Sequence, residues 1–282
     1  MTTLGIVSPG AMGSALGRAW AAGGARVVAT IEGRSERTRR LADGLELLPS
    51  LADVVRASDV VVSICPPTAA GDVLDAVIEV AGDARPLLAD LNAVSPATVG
   101  ALADRAAARG FDLVDGSISG GPPTPGGDTM LYLSGSRSSE IGSLPTDGLR
   151  TRLVDDQVGA ASAVKMCTAS VYKGTTALWA QALQTAYGLG VLDVVLTDLG
   201  EAFPEQVPNV GRRIAVATSK AHRFVGEMEQ IGETQGAAGA SSDLFAAMAA
   251  VYRRLAATDL AALSPEEASA LTDLTEVLRR LS

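Results

Sequence analysis

Gly5-Ile6-Val7-Ser8-Pro9-Gly10-Ala11-Met12-Gly13 is the stretch whose reading decides the fold. A short apolar run ends in a glycine-bearing turn, and the turn opens an Ala-rich helical pattern over Met12–Ala22. A dinucleotide fingerprint belongs at such a junction. Gly10 would let the backbone approach a pyrophosphate, and Gly13 would let the helix pack close to the strand. The helix N-terminus would offer free N–H groups and a positive dipole end. Ser8 stands where the first glycine of the fingerprint is usual. Ser8, Pro9, Gly10, Ala11, Met12 and Gly13 are therefore the candidate phosphate-binding residues. A plain strand–helix turn has the same local look, so the surrounding pattern has to decide.

Outward from this turn the pattern repeats. Leu4–Val7, Arg26–Thr30, Val60–Ile64, Leu87–Asp90 and Asp112–Val114 are brief apolar runs bounded by turn residues. Helical stretches such as Met12–Ala22 and Ser95–Arg109 lie between them, and Met130–Leu133 reads as a further strand. Strands alternating with helices imply βαβ units and a parallel sheet buried on both faces. From about Leu153 the pattern becomes helical. Ala161–Leu192, without proline, predicts one long helix, and helical patterns recur at Gln206–Glu229, Ser242–Ala257 and Pro265–Leu281. Ser264-Pro265 reads as a helix start. The expected fold is α/β, a Rossmann-type doubly wound parallel sheet over residues 1–157 followed by an all-α domain over 158–282.

Composition narrows the function. The 282 residues are 47% hydrophobic and 20% charged, as a packed globular chain requires. A net charge of −9 disfavours nucleic acid and anionic membrane as partners. No apolar run approaches bilayer length, and no basic segment followed by an apolar core opens the chain, so the cytoplasm is the expected compartment. Cys65 and Cys167 are too few for a disulfide framework. His222 is the single histidine, which argues against a zinc site and a Ser-His-Asp hydrolase. No metal is expected.

The second strand ends in Thr30-Ile31-Glu32-Gly33-Arg34-Ser35. An acid there would bind the ribose hydroxyls of NAD, whereas a nearby Arg accommodates the 2′-phosphate of NADP. Glu32 fits the first role. Arg34 and Ser35 fit the second, with Arg37, Arg39 and Arg40 adding positive potential. The charge balance favours NADP(H) over NAD(H).

Several segments, in order over about 1–175, resemble the 3-hydroxyisobutyrate and 6-phosphogluconate dehydrogenase superfamily. Pro9-Gly10-Ala11-Met12-Gly13 resembles its cofactor motif. Cys65-Pro66-Pro67 is similar to its loop over the cofactor ribose. Asp90-Leu91-Asn92-Ala93-Val94-Ser95-Pro96 resembles its Asp-x-Ser-Thr-x-x-Pro element. Asp115–Gly121 resembles its substrate-binding Ser-Gly-Gly segment, Gly126–Gly135 the strand after it, and Gly159–Lys165 its catalytic Gly-x-Gly-x-x-x-Lys motif. The run His222–Glu229 resembles a branch whose 6-phosphogluconate-dehydrogenase-like C-terminal domain is poorly characterised.

The resemblance implies hydride transfer to or from a nicotinamide, with Lys165 as the proton-transfer group. Only Lys165, Lys173 and Lys220 occur among the lysines, and Arg cannot give up a proton, so a lysine inside an Ala-rich helix stands out. Ser119, Gly120 and Gly121 would hold a substrate carboxylate, and Asn92 would orient nicotinamide or substrate. The family's asparagine four residues after the lysine is here Ala169. Tyr172, Thr168 or Lys173 would have to stand in for it. Tyr172 has a packing role as its equal alternative. His222 and Arg223 are candidates for an anionic substrate, and Gly226-Glu227 stands where the family's Lys-Asp pair is usual.

The expected activity is an NADP-dependent dehydrogenase or reductase acting on a small hydroxy acid or its oxo form. Imine reduction on the same scaffold is an alternative, against which Lys165 argues. A catalytically silent NAD(P)-binding sensor or scaffold is the other. The apolar surface of the long helix predicts a homodimer.

Overall fold

The structure is a computed structural model and describes residues 1–281. The chain divides into two compact units, residues 1–166 and residues 167 onward. The first holds β1 (Thr3–Ile6), β2 (Arg26–Ala29), β3 (Glu46–Leu47), β4 (Val60–Ser63), β5 (Leu87–Asp90), β6 (Leu113–Ser119), β7 (Thr129–Ser134) and β8 (Leu149–Asp155). Its helices are α1 (Ala11–Ala22), α2 (Glu36–Leu41), α3 (Leu51–Ala57), α4 (Ala70–Val80), α5 (Pro96–Ala107) and α6 (Ser138–Gly142). One eight-stranded sheet runs β3-β2-β1-β4-β5-β6-β7-β8. All neighbours pair in parallel except β6 with β7, which is antiparallel. This is the expected Rossmann-type class, extended by β7 and β8.

Side chains alternate between the two faces of each strand. Leu4, Ile6, Val60, Val62, Leu87 and Ala89 pack with Leu16 and Trp20 of α1 in one apolar cluster. Val61 and Leu88, one residue out of phase, pack with Val55, Leu74, Val99 and Leu102 in the other. Both faces of the central strands are therefore buried, which is why the sequence reads as unbroken apolar runs.

A helix that spans the division, α7 (Ala160–Gly188), is followed by α8 (Leu192–Ala202), α9 (Val210–Thr218), α10 (Ala221–Ala237), α11 (Asp243–Ala256), α12 (Pro265–Ala270) and α13 (Leu274–Arg280). The expected single helix over Ala161–Leu192 is corrected here: it ends at Gly188. Gly190, at φ +70°, lets the Val191 N–H reach back to the Ala186 carbonyl at 3.0 Å, a glycine-terminated C-cap. The pattern over Gln206–Glu229 breaks at Ser219-Lys220, and that over Pro265–Leu281 breaks between Ala270 and Leu274. Ser264 starts α12 with a capping box to Glu267 and Pro265 in the first turn. The division falls nine residues later than the expected 157/158 boundary, because the first turns of α7 are tied to β6. No helix among the described residues is long and apolar enough to cross a membrane.

Candidate functional site

The candidate residues of the first unit follow the carboxyl ends of parallel strands. Ser8–Gly13 follow β1, Cys65–Pro67 follow β4, Asn92 follows β5, and Ser119–Gly121 close β6. Chain order reverses between β1 and β4, and ligands bind at that switch point in open α/β sheets.

The turn after β1 has the local chemistry of an anion cradle. Helices α2, α3 and α5 each have a serine at the N-cap, Ser35, Ser50 and Ser95, whose side chain accepts a first-turn N–H. By contrast, α1 has Gly10 at its N-cap, with no capping side chain and no acid in its first turn. Its N-terminal amides thus lack the usual protein acceptor, and the dipole end is left positive. An added Cβ on Gly10 would meet nothing within 4 Å, so the backbone is open there. A Cβ on Gly13 would lie 2.3 Å from the Ser8 carbonyl oxygen, so only glycine allows that packing. Ser14 Oγ donates to the Pro9 carbonyl at 2.6 Å and pins the loop. These features fit a pyrophosphate.

Arg34 reaches back from beyond β2 and donates from a guanidinium nitrogen to the Val7 carbonyl at 3.0 Å. Its Nε is buried with no hydrogen-bond partner. Ser35 is engaged as the N-cap of α2, while Glu32 is exposed and donates its backbone N–H to Thr30.

Asn92 has a structural task. Its Oδ1 accepts the Cys65 N–H at 2.5 Å, and its Nδ2 donates to Ser63 Oγ and to Asp90 Oδ2 at 2.7 Å. The amide is buried, so it ties the Cys65-Pro66-Pro67 loop to the end of β5. Burial first, then the charge of Asp115, pushes Asp90 up to about 6, against the lowering effect of the Asn92 hydrogen bonds. Burial likewise raises the Cys65 thiol, which disfavours the thiolate a nucleophile needs.

Asp115 is the residue whose role the sequence did not announce. Buried in β6, its carboxylate accepts from Ser134 Oγ (2.9 Å), the Gly159 N–H (3.0 Å), the Ser162 N–H (3.0 Å) and Ser162 Oγ (2.7 Å). It therefore caps the start of α7 from β6. Ser117 Oγ donates to the Ala161 carbonyl at 2.7 Å and completes the anchor. One turn on, the Lys165 ammonium donates to the Ile118 carbonyl at 2.5 Å, one residue before the Ser119-Gly120-Gly121 turn. Burial lowers the pKa of Lys165 below the ordinary lysine range. Thr129 holds the turn by donating to the Gly121 carbonyl at 2.9 Å, and Gly120 takes φ +107°. The signal in the sequence is an acid directly after the apolar Leu113-Val114 pair of a short strand.

Tyr172, Lys173 and His222 belong to the second unit. Tyr172 is exposed at 69%, so it does not pack within its unit. The Lys173 ammonium pairs with Glu227 and lies 4.5 Å from the centre of the Phe224 ring. His222, exposed, sits on α10 two residues before Phe224. Ala169 is buried. No cluster of potential metal ligands occurs among the described residues.

Residues 3–143 match the NAD binding domain of 6-phosphogluconate dehydrogenase. The chain belongs to that family. Residues 186–255 match a domain of unknown function (DUF1932). A solved conserved protein, described as structurally similar to 3-hydroxyacid dehydrogenases, is 25% identical with TM-score 0.66, over 90% of this chain and 96% of its own. The Mycobacterium tuberculosis 3-hydroxyisobutyrate dehydrogenase with L-serine is 20% identical with TM-score 0.69, over 100% and 99%. Imine reductase from Myxococcus stipitatus with NADP+ is 22% identical with TM-score 0.56, over 99% and 100%, and a variant of it is in complex with NAD+. An uncharacterised 28.5 kDa protein of Methanothermus fervidus is 27% identical over 61% of this chain and 66% of its own length, short of the whole of that protein. The family membership supports an NAD(P)-dependent oxidoreductase, and the solved structures share the fold of this chain.

Proposed function

We propose that the chain transfers a hydride between NADP(H) and a small hydroxy acid or its oxo form. The observation that carries this reading is Lys165, largely buried and held at the end of β6 beside Ser119-Gly120-Gly121. The first-turn amides of α1 and the Gly10 backbone would hold the pyrophosphate, and the Cys65 loop would lie over the ribose. The bound nicotinamide accepts or supplies the hydride. Lys165, neutral, takes the proton from the substrate hydroxyl during oxidation; protonated, it returns that proton during reduction. Ser119 and the Gly120 and Gly121 N–H groups would hold the carboxylate. With Asn92 committed to the Cys65 loop, it acts by positioning that loop.

NADP(H) preference rests on Arg34, whose buried Nε awaits an acceptor beside the β1 turn. Self-association rests on α8, none of whose residues is buried, and on exposed Val171, Leu178, Leu189 and Val194. We assign these faces to a second copy of the chain.

The test is turnover with a panel of 3-hydroxy acids, the matching aldehydes and cyclic imines, alongside calorimetry with NADPH and NADH. Turnover of hydroxy acids that disappears in Lys165→Ala with NADPH affinity retained supports the reading. Reduction of imines alone would move the chain to the imine reductases, and failure to bind either cofactor would leave no enzyme. Arg34→Ala is expected to weaken NADPH about tenfold or more and NADH little.

A further inference from the structure

The second unit carries a cavity of about 460 Å³ between α7, α9 and the start of α10. Four cations line it, Lys173, Arg212, Arg213 and Lys220, with Val216 and Phe224 as an apolar wall. The concentration is notable in a chain of net charge −9. Elsewhere in this unit the arginines have partners: Arg253 pairs with Glu229, and Arg279 and Arg280 with Glu276. In the cavity only Lys173 is matched by a carboxylate, that of Glu227, and its ammonium lies against the Phe224 ring. Arg212, Arg213 and Lys220 have no carboxylate within 4 Å and no protein hydrogen-bond acceptor among the described residues. Arg213 and Lys220 are moreover half-buried, with Arg223 and Glu266 as the charged groups acting on Lys220.

Cations gathered in a recess repel one another, and an anion that bridges them relieves the repulsion. Two guanidinium forks with an ammonium match a group that presents several oxygens and two charges. The ring and the valine add room for an apolar substituent. We propose that this cavity binds a small dianion bearing an apolar group, of the class shared by phosphate monoesters and dicarboxylates. This does not rest on hydride transfer, since its test reads binding and not turnover.

The experiment is isothermal titration calorimetry of the full-length chain at low ionic strength in a phosphate-free buffer. The probes are inorganic phosphate, phenyl phosphate, malonate and acetate. The proteins are wild type, Arg213→Gln/Lys220→Gln, Lys220→Met, and Arg109→Gln of the first unit as a surface control. Phosphate is expected to bind the wild type and the control alike, about tenfold more weakly to Lys220→Met, and more weakly still to the double variant. Phenyl phosphate should bind more tightly than phosphate. Malonate binding above that of phenyl phosphate would favour a dicarboxylate, and the reverse a phosphate ester; either supports the site. The substituted cations have no carboxylate within 4 Å, so unliganded melting temperatures should match, and phosphate should raise that of the wild type and the control alike and that of the cavity variants less. Equal phosphate affinity in wild type and double variant, no phosphate binding at all, or acetate binding as tight as phosphate would overturn the proposal.

Discussion

Gly10 and Gly13 lie three residues apart, yet alanine at each should fail in a different way. At Gly13 the new Cβ would be 2.3 Å from the Ser8 oxygen, 3.2 Å from its carbonyl carbon and 3.3 Å from Ile6 Cγ2. Ordinary contact requires the Ser8 backbone to move by about 1 Å. Overpacking of this kind costs about 1–3 kcal/mol. At roughly 2–4 °C per kcal/mol for a chain of this size, the melting temperature should fall by about 2–12 °C. Displacing the loop also weakens amide contacts to phosphate, each worth about 1.5–3 kcal/mol, so the cofactor Kd should rise tenfold or more. At Gly10, φ is −73° and ψ −166°, a conformation alanine adopts freely, and its Cβ meets nothing within 4 Å. Stability should therefore stay within about 0.5 kcal/mol, while the methyl stands where the pyrophosphate approaches and raises the Kd tenfold or more. Differential scanning calorimetry and cofactor titration on both variants measure the two effects. Unchanged NADPH and NADH affinity in Gly10→Ala would refute the phosphate assignment. An unchanged melting temperature in Gly13→Ala would refute the packing argument.

Lys165→Met is expected to reduce kcat by about 10²–10⁴-fold with cofactor Kd within about twofold; the wild-type kcat limb from Lys165 should lie below the ordinary lysine value of about 10.4 and vanish in the variant. Burial raises Asp90 to about 6, above the ordinary aspartate value of about 3.9. Its native state holds the extra proton, so its contribution to stability is full below about pH 4 and is lost as pH rises through about 6, up to about 3 kcal/mol. Urea unfolding from pH 4 to 7 should show this decline in the wild type and not in Asp90→Asn. Asp115→Asn leaves buried donors of Ser162, Ser134 or Gly159 unmatched and should cost about 3 kcal/mol by the same assay. Val194→Glu with Leu178→Glu should give a folded monomer by light scattering where the wild type associates; an unaltered mass would remove these faces from the interface.

The central sheet was legible because strands buried on both faces read as apolar runs, and all six expected strands are present. The strand β8 was not, because it lies at the sheet edge and mixes Arg150, Arg152 and Asp155 with exposed Leu153 and Val154. Helix existence was readable from composition; helix ends were less so, since the break at Gly190 depends on one glycine taking a left-handed conformation inside an apolar pattern. At the site, the chain shows Gly10, Gly13 and Lys165 by residue type and position. It does not show that Asn92 is occupied with Cys65, because that contact joins residues 27 positions apart. The Asp115 anchor joins residues up to 47 positions apart, so the acid is visible locally and its partners are not.

That anchor bears on how the molecule can be cut. A fragment ending at residue 157 would keep every strand of the sheet but take Gly159 and Ser162 away from Asp115, leaving an interior carboxylate with Ser134 alone of its four recorded donors. Soluble expression of the nucleotide-binding half therefore calls for a terminus beyond Met166, where the opening turns of the long helix travel with it.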